Sequence, residues 1–146
     1  MAKKPQVLIV EARYYAHIAN ELLRGAQAAL DSGGAEYDKI EVPGCFEIPA
    51  AISLAAASGK YDGFVALGCV IRGETSHYDL ICAECARGIQ DLALKGLAVG
   101  FGVLTVENER QAMARARKDK KDKGGEAARA CLAMIALKQR FSDKSR

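Results

Sequence analysis

The sequence predicts an α/β fold, a three-layer α/β/α sandwich in which helices cover both faces of a four-stranded parallel sheet. Strand-like and helix-like segments alternate along the chain in the order β-α-β-α-β-α-β-α-α. The strand candidates are short, continuous apolar runs, which are typical of strands buried on both faces. The 146 residues suffice for one domain, 1–146, whose core needs neither a disulfide nor a metal.

Each predicted element has a pattern of its own. Four segments have the length and composition of buried strands: 7–10, 37–42, 63–71 and 97–105. Five segments have the spacing or end signals of helices: 18–30, 49–58, 79–95, 109–118 and 126–141. Glycine and proline separate them, since Gly33-Gly34 ends the first helix and Pro43-Gly44 ends the second strand. Two glycines in the fourth strand make its length the least certain.

Charge and cysteine content exclude several classes of protein. The formal net charge is +3, and the surplus is concentrated in 115–123 and after 138, which suits an anionic small substrate rather than nucleic acid. The apolar stretch 7–10 is too short for a signal peptide or a membrane span. Five cysteines without such a signal indicate reduced thiols. We therefore expect a soluble, cytoplasmic protein with no nucleic-acid or membrane partner.

Unusual side chains directly follow each predicted strand. In open parallel sheets, ligands bind beyond the carboxyl ends of the strands. Polar, aromatic and glycine residues should therefore accumulate at those points in the sequence. They form four clusters: 13–15, 44–47, 72–77 and 105–108. The sequence thus predicts one ligand site at one edge of the sheet.

The segment 68–79 is the most informative of these. Its sequence, Gly-Cys-Val-Ile-Arg-Gly-Glu-Thr-Ser-His-Tyr-Asp, predicts a strand end, a turn and a helix start. Free backbone N–H groups at a helix start bind phosphate, and His77 beside that anion can move protons near neutral pH. The alternative is an ordinary helix cap with a surface histidine. Three neighbours, Arg72, Gly73 and Thr75, favour the site.

A rigid turn follows the second strand. Pro43-Gly44 restrains the backbone, so that backbone groups of Cys45 and Phe46 would be held in place for a planar, amide-rich ring. Glu47 follows near a helix start, where the helix dipole also stabilises a carboxylate. From this segment alone, a capping glutamate and a ligand-binding glutamate are equally good interpretations.

Aromatic and basic residues elsewhere suit the same ligand. Tyr14, just after the first strand, can stack on a heteroaromatic ring, although a half-buried loop tyrosine fits the same pattern. Arg115 shares a helix face with Ala112 and can reach a phosphate as a bidentate donor. The lysines of 118–123 are typical of a solvated face.

The motif Cys82-Ala-Glu-Cys85 has redox and zinc interpretations, but a structural role is favoured. It supplies only two of the four ligands of a zinc site. It also lies inside a predicted helix rather than at the strand–helix junction that redox motifs prefer. The sequence contains no P-loop, dinucleotide-binding glycine motif or zinc-protease motif.

Together, these segments resemble the lumazine synthase family. The motifs are Val-Pro-Gly-x-Phe-Glu-Ile-Pro at 42–49, Leu-Gly-x-Val-Ile-Arg-Gly-x-Thr-x-His-x-Asp at 67–79 and Phe-Gly-Val-Leu-Thr-x-Glu-Asn at 101–108. Matching segments extend from 12 to 124, which is most of the chain. The three motifs in this order are specific to that family.

The resemblance implies a flavodoxin-like fold and a homopentamer, or multiples of it, with active sites between neighbouring subunits. It assigns proton transfer to His77. The substrate-binding residues that it implies are Tyr14, Cys45, Phe46, Glu47, Cys69, Val70, Ile71, Phe101 and Lys123. The phosphate-binding residues that it implies are Gly73, Glu74, Thr75 and Arg115. Tyr14 would stack on the pyrimidine, whereas Phe101 and Arg115 would come from the adjacent subunit.

The implied enzyme is a transferase of riboflavin biosynthesis with two small-molecule substrates and neither cofactor nor metal. The amine of 5-amino-6-(D-ribitylamino)uracil attacks the ketone of 3,4-dihydroxy-2-butanone 4-phosphate to form a Schiff base. Phosphate is then eliminated, the ring closes, and 6,7-dimethyl-8-ribityllumazine forms with the release of two waters and one phosphate. Positioning and proton transfer account for much of such a reaction.

This sequence departs from the family pattern at several points. Tyr14 stands where the family often has Phe or Trp, and Tyr15 where Asn is common. The segment 117–122 lacks the glycine-containing kink of capsid-forming members, which predicts a free pentamer. Two alternatives remain open, a non-catalytic flavin- or lumazine-binding protein on the same scaffold and a shell-forming scaffold. The second needs the missing kink.

Overall fold

The computed structural model describes residues 3–142, and its four strands form one parallel sheet in the order β2-β1-β3-β4. The strands are β1 Gln6–Ala12, β2 Glu36–Val42, β3 Gly63–Ile71 and β4 Val99–Val106. Parallel pairing aligns Val7 of β1 with Tyr37 of β2 and with Gly63 of β3. All four carboxyl ends therefore meet at one edge, and the predicted three-layer α/β/α fold of flavodoxin-like type is confirmed.

Five helices and a short 3-10 turn connect the strands. The helices are α1 Ala16–Ser32, α2 Ile48–Ala56, α3 His77–Leu94, α4 Glu109–Ala116 and α5 Lys123–Ser142, and the 3-10 turn is Cys45–Glu47. No helix in the part of the chain that the structure describes is long and apolar enough to cross a membrane.

Helices α1, α3 and α5 begin two or three residues earlier than their sequence patterns predict. The apolar pattern places the third helix at 79, but α3 begins at His77, after a cap at Ser76. The fifth begins at Lys123 rather than at 126. Asp122 adopts a positive φ of 47°, and its side chain accepts a hydrogen bond from the Gly125 N–H at 3.2 Å. Local capping geometry, which apolar periodicity does not report, sets the starts of α3 and α5.

The face of the sheet under α1, α4 and α5 is tightly closed. Side chains of Val7, Ile9 and Val65 are fully buried there with those of α1 and α5. Gly100 lets α5 pack closely on β4, and Gly124 lets α5 pack closely on α1, because a Cβ at either position would collide with backbone atoms. A Cβ on Gly100 would lie 1.9 Å from the Ala127 carbonyl oxygen, and one on Gly124 would lie 2.0 Å from that of Leu22.

The opposite face, under α2 and α3, is less completely covered. Leu8, Val10 and Phe64 of the sheet pack there against a smaller buried group. Of the 18 residues of α3, only Cys85 and Ile89 are buried. Large apolar side chains near this face are exposed: Leu54, Leu80, Leu94 and Phe101. This side of the molecule presents apolar surface that the chain does not cover.

Candidate active site

A cavity of about 630 Å³ opens at the carboxyl edge of the sheet. Its walls come from the loops after β1 and β2, the end of β3 and the first turns of α3. The lining residues are Ala12, Tyr14, Tyr15, Pro43, Gly44, Cys45, Phe46, Glu47, Cys69, Val70, Ile71, His77, Leu80 and Ile81. The size and mixed lining suit a small organic ligand, and the location is the one that the parallel sheet predicts.

The loop after β1 presents two aromatic rings to the cavity. The Tyr14 side chain is 80% exposed. Its ring meets that of Tyr15 edge-on, with 4.9 Å between the ring centroids and 84° between the planes. Tyr15 packs against the closed core, and burial raises the pKa of its phenol. Sequence reasoning assigned a role only to Tyr14, yet Tyr15 also lines the cavity. Its position just after β1 was the available signal.

The loop after β2 forms the wall beside β1 and β3. Cys45 is buried beneath the loop, whereas Phe46 is half exposed beside the cavity. Gly68 of β3 makes this packing possible, because a Cβ there would lie 2.6 Å from the Cys45 sulfur. Glu47 ends the 3-10 turn and occupies the N-cap position of α2, but its side chain makes no capping hydrogen bond. Since Glu47 lines the cavity, its carboxylate is available to a ligand, and its binding role stays a prediction.

The two cavity thiols are neutral at physiological pH. Burial raises the pKa of Cys45 to about 11 and that of Cys69 to about 12. A thiol reacts as a nucleophile through its thiolate, which is scarce several pH units below the pKa. Both residues can therefore shape the cavity and contact a ligand, but they are poor candidates for covalent chemistry.

The loop after β3 leads directly into the start of α3. His77 is the first residue of that helix, lines the cavity, and donates its backbone N–H to the Thr75 hydroxyl oxygen at 3.2 Å. Gly73, Glu74 and Thr75 are exposed immediately before it. Backbone N–H groups at a helix start favour a bound anion. The imidazole and this exposed turn are therefore adjacent, as the sequence predicts.

Arg72 fastens this loop to the end of β4. Its Nε donates to Glu107 at 3.0 Å, its Nη2 lies 3.4 Å from the Asp79 carboxylate, and its guanidinium lies 4.3 Å from the Tyr78 ring centroid. The hydrogen bond to Glu107 raises the pKa of Arg72. The fourth cluster, 105–108, does not line the cavity, but through Glu107 it supports the loop that joins two lining residues, Ile71 and His77.

Six residues of the predicted site are not part of the cavity lining: Gly73, Glu74, Thr75, Phe101, Arg115 and Lys123. Phe101 is in the middle of β4, paired with Ala66, and is 46% exposed. Arg115 on α4 donates to the Gln111 backbone carbonyl at 3.0 Å, and Lys123 at the start of α5 contacts Glu126 at 3.2 Å. The resemblance places Phe101 and Arg115 at a neighbouring subunit's site, and their roles stay predictions.

The Cys82–Cys85 pair lies within α3, as the structural interpretation requires. Both thiols are free, and burial raises the pKa of Cys85 to about 12. Among residues 3–142 there is no group of three or more His, Cys, Asp or Glu side chains that could hold a metal ion.

Comparison with known sequences identifies the family. A model of the family described as 6,7-dimethyl-8-ribityllumazine synthase matches residues 4–139. The chain belongs to that family. It is 60% identical over 135 residues to the protein of that name from Sphingopyxis alaskensis, covering 92% of this chain and 96% of the relative.

Further relatives carry the same name. The Bartonella tribocorum protein is 57% identical over 145 residues, covering 98% of this chain and 96% of the relative. The Novosphingobium aromaticivorans protein is 56% identical over 135 residues, covering 92% and 97%. These matches confirm the resemblance seen in the motifs, and they place the chain among the enzymes of riboflavin biosynthesis that this family comprises.

Proposed function

We propose that this cavity joins 5-amino-6-(D-ribitylamino)uracil to 3,4-dihydroxy-2-butanone 4-phosphate, giving 6,7-dimethyl-8-ribityllumazine, two waters and phosphate. The observation that carries the proposal is the cavity lining. It combines the aromatic rings Tyr14 and Phe46, the carboxylate of Glu47 and the imidazole of His77 at one sheet edge. These groups match the needs of a planar, amide-rich ring that reacts by proton transfer.

The uracil ring occupies the space between the loops after β1 and β2. Tyr14 stacks on the ring, and Phe46 with the backbone of Cys45 holds its polyol arm and edge. The carboxylate of Glu47 accepts hydrogen bonds from ring N–H or hydroxyl groups. Strand residues Cys69, Val70 and Ile71 form the floor, which all three line.

The sugar phosphate binds at the start of α3. Its phosphate lies on the exposed turn Gly73, Glu74 and Thr75, next to His77. The imidazole removes and returns protons as the Schiff base forms, as phosphate leaves and as the ring closes. Each step needs a proton donor or acceptor near neutral pH, so a histidine suits it. No cofactor takes part.

A neighbouring subunit supplies the rest of the site. Phe101, Arg115 and Lys123 lie outside the cavity of their own chain, and Phe101 is one of several exposed apolar side chains near the less covered face. In a ring of identical subunits, such a surface meets the next subunit's cavity. Phe101 then covers the ring substrate, Arg115 grips the phosphate and Lys123 lies close by.

The assembly we propose is a free homopentamer of a single domain that spans 1–146. The segment 117–122 has no glycine, unlike the kinked segment of capsid-forming relatives. Sedimentation equilibrium should give five times the 15.6 kDa chain mass. A sixty-subunit particle would exclude the free pentamer. Five free thiols and a net charge of only +3 suit a cytoplasmic enzyme of small molecules rather than of nucleic acid.

The decisive experiment mixes both substrates with the protein and follows the absorbance of the lumazine. The chain has two histidines, so each can serve as a control for the other. His77→Ala should bind the ring substrate and turn over about 100-fold or more slowly. His17→Ala removes an exposed histidine that contacts Glu109 outside the cavity, and it should keep its activity.

Two results would contradict the proposal. Unchanged turnover of His77→Ala at saturating substrate would remove the role given to that residue. Tight binding of a flavin or lumazine, with no product from the mixed substrates, would instead favour the non-catalytic binding protein.

A further inference from the structure

Glu11 is the charged residue most deeply buried within residues 3–142, with 1% of its surface exposed. It is the penultimate residue of β1 and pairs with Glu41 of β2 and Leu67 of β3. Its Oε1 accepts a hydrogen bond from Arg13 Nη1 at 2.7 Å. Burying a carboxylate is unfavourable unless a cation and hydrogen bonds compensate it. A buried carboxylate at the end of β1, three residues before Tyr14, therefore needs a reason.

The carboxylate is only partly satisfied. Lys39 Nζ lies 3.5 Å from Oε2, within ion-pair distance, but no residue that the structure describes makes a hydrogen bond to that oxygen. A maximally stable core would complete this network or replace it with apolar groups. Core stability alone does not explain why a carboxylate is buried here. By contrast, the hydrogen bond that its Oε1 accepts from Arg13 is well formed.

Arg13 connects Glu11 to the opposite side of the cavity loop. One arm of the guanidinium donates to Glu11, and Nη2 donates to Asn20 Oδ1 on α1. The residues between these two contact points include Tyr14 and Tyr15, both of which line the cavity. Arg13 therefore fastens β1 to the second turn of α1 and closes the loop that carries both rings.

Tyr14 depends on this support because burial does little to hold it. Its side chain is 80% exposed and meets Tyr15 edge-on. An aromatic ring that stacks on a ligand contributes most when it is already in position before binding. A planar guanidinium held at both ends restricts the loop backbone. It thereby fixes the backbone position from which the Tyr14 ring projects, and it does so without occupying the cavity.

We propose that Glu11 is a positioning residue: through Arg13 and Asn20 it holds Tyr14 in place for the ring substrate. The inference rests on the proposed function, since it takes Tyr14 as the residue that stacks on the uracil. Glu11 and Arg13 are absent from the cavity lining and touch no reacting group. Their effect is therefore expected in the binding of the ring substrate and not in the proton transfers.

Loop order can be measured apart from activity, because the chain contains no tryptophan. Tyr14→Trp introduces a single fluorescent reporter on the loop. Its anisotropy decay should be dominated by tumbling of the whole particle. Combined with Glu11→Gln or Arg13→Lys, the same reporter should gain a fast, local component, because the guanidinium loses its charged or bidentate contact.

Kinetics with Tyr14 intact supply the second measurement. Asn20→Ala removes only an exposed acceptor on a helix, so it carries the test even if Glu11→Gln does not fold. We expect KM for the ring substrate to rise roughly 5- to 10-fold, with kcat within about twofold of the parent and KM for the sugar phosphate unchanged. Asn20→Asp keeps an acceptor for Arg13 and should restore the parent KM.

Arg24→Ala is the matched control. It removes an exposed ion pair with Glu21 on the same helix, away from the loop, and should change neither readout. A reporter that stays rigid in Glu11→Gln, Arg13→Lys and Asn20→Ala would overturn the positioning role and leave the proposed function standing. A mobile reporter with an unchanged KM would overturn it as well, together with the assignment of Tyr14 to the ring, whereas the His77 assay tests the reaction independently.

Discussion

The two faces of the sheet differ in how far one chain can complete them. Under α1, α4 and α5, side chains such as Leu22 and Ile135 are buried, and backbone meets backbone at two glycines. On the side of α2 and α3, large apolar side chains are exposed, among them Leu54, Leu94 and, on β4, Phe101. The first face is completed by this chain, whereas the second keeps exposed apolar surface within the described residues.

The same contrast separates the two parts of the predicted site. Tyr14, Phe46 and His77 come together in one cavity because parallel strands deliver their following loops to one edge. Phe101 and Arg115 do not join them, although both belong to the same predicted site. The difference teaches that a single chain brings only part of the predicted site together; under the proposed function, Phe101 and Arg115 reach it from a second copy.

The largest expected effect comes from substituting one residue of each part of the predicted site, His77 and Arg115, in different subunits of the same ring. His77→Ala and Arg115→Ala should each lower activity, the former about 100-fold or more. In rings co-expressed from both variants in equal amounts, about one interface in four combines an intact His77 with an intact Arg115, and about a quarter of the parent activity should return. Activity that equals only the sum of the separate variants would place both residues in one subunit's site.

The closed face is tested by adding one methyl group. Gly124→Ala puts a Cβ 2.0 Å from the Leu22 carbonyl oxygen, so α5 must move away from α1. We expect the free energy of unfolding in urea to fall by about 2 kcal/mol. Ala130→Ser, at an exposed position of the same helix, should change it by less than about 0.5 kcal/mol. Equal effects of the two variants would show that the glycine contact is not limiting.

The open face is tested through its exposed aromatic side chain. Phe101→Ala should raise KM for the ring substrate about tenfold, because a covering ring contributes both apolar area and stacking. The chain's free energy of unfolding as a monomer should change little, since Phe101 is 46% exposed. Phe141→Ala near the end of α5 is the control, and it should leave KM unchanged. A similar KM for both variants would remove Phe101 from the site.

The smallest effect is a pH dependence that the closed face should show. Burial raises the pKa of the Cys131 thiol to about 12, above the value of about 8.5 in an unfolded chain. Stability from the neutral buried thiol is complete below pH 8.5 and is lost as the pH rises toward 12, because only the unfolded chain ionises readily. Between pH 8.5 and about 9.5, Cys131→Ala should lose about 1 kcal/mol less stability than the parent in urea titrations. Parallel curves for the two proteins would show that the thiol does not contribute.

Much of the site was readable because its residues follow strands. The loops that carry Tyr14, Phe46 and His77 each begin where an apolar run ends, and a parallel sheet brings such points together. Tyr15 followed the same rule but was not singled out, since nothing local distinguishes a lining tyrosine from a packed one. Arg72 belongs to the cluster that predicts a phosphate site, but its ion-pair partners could not be predicted. Glu107 is distant in sequence, and Asp79 lies on α3.

The sequence by itself determined the number and order of strands and helices, the parallel sheet and the edge that carries the cavity, because these depend on local apolar periodicity and on the chirality of β-α-β connections. Tertiary structure alone decided that Glu11 would be buried beneath the cavity loop, that Gly124 would touch Leu22, and that Phe101 would lie apart from His77. Each of those outcomes depends on the relative placement of elements that are separated in the chain. The packing of the helix layers on the sheet sets this placement, and no local sequence pattern encodes it.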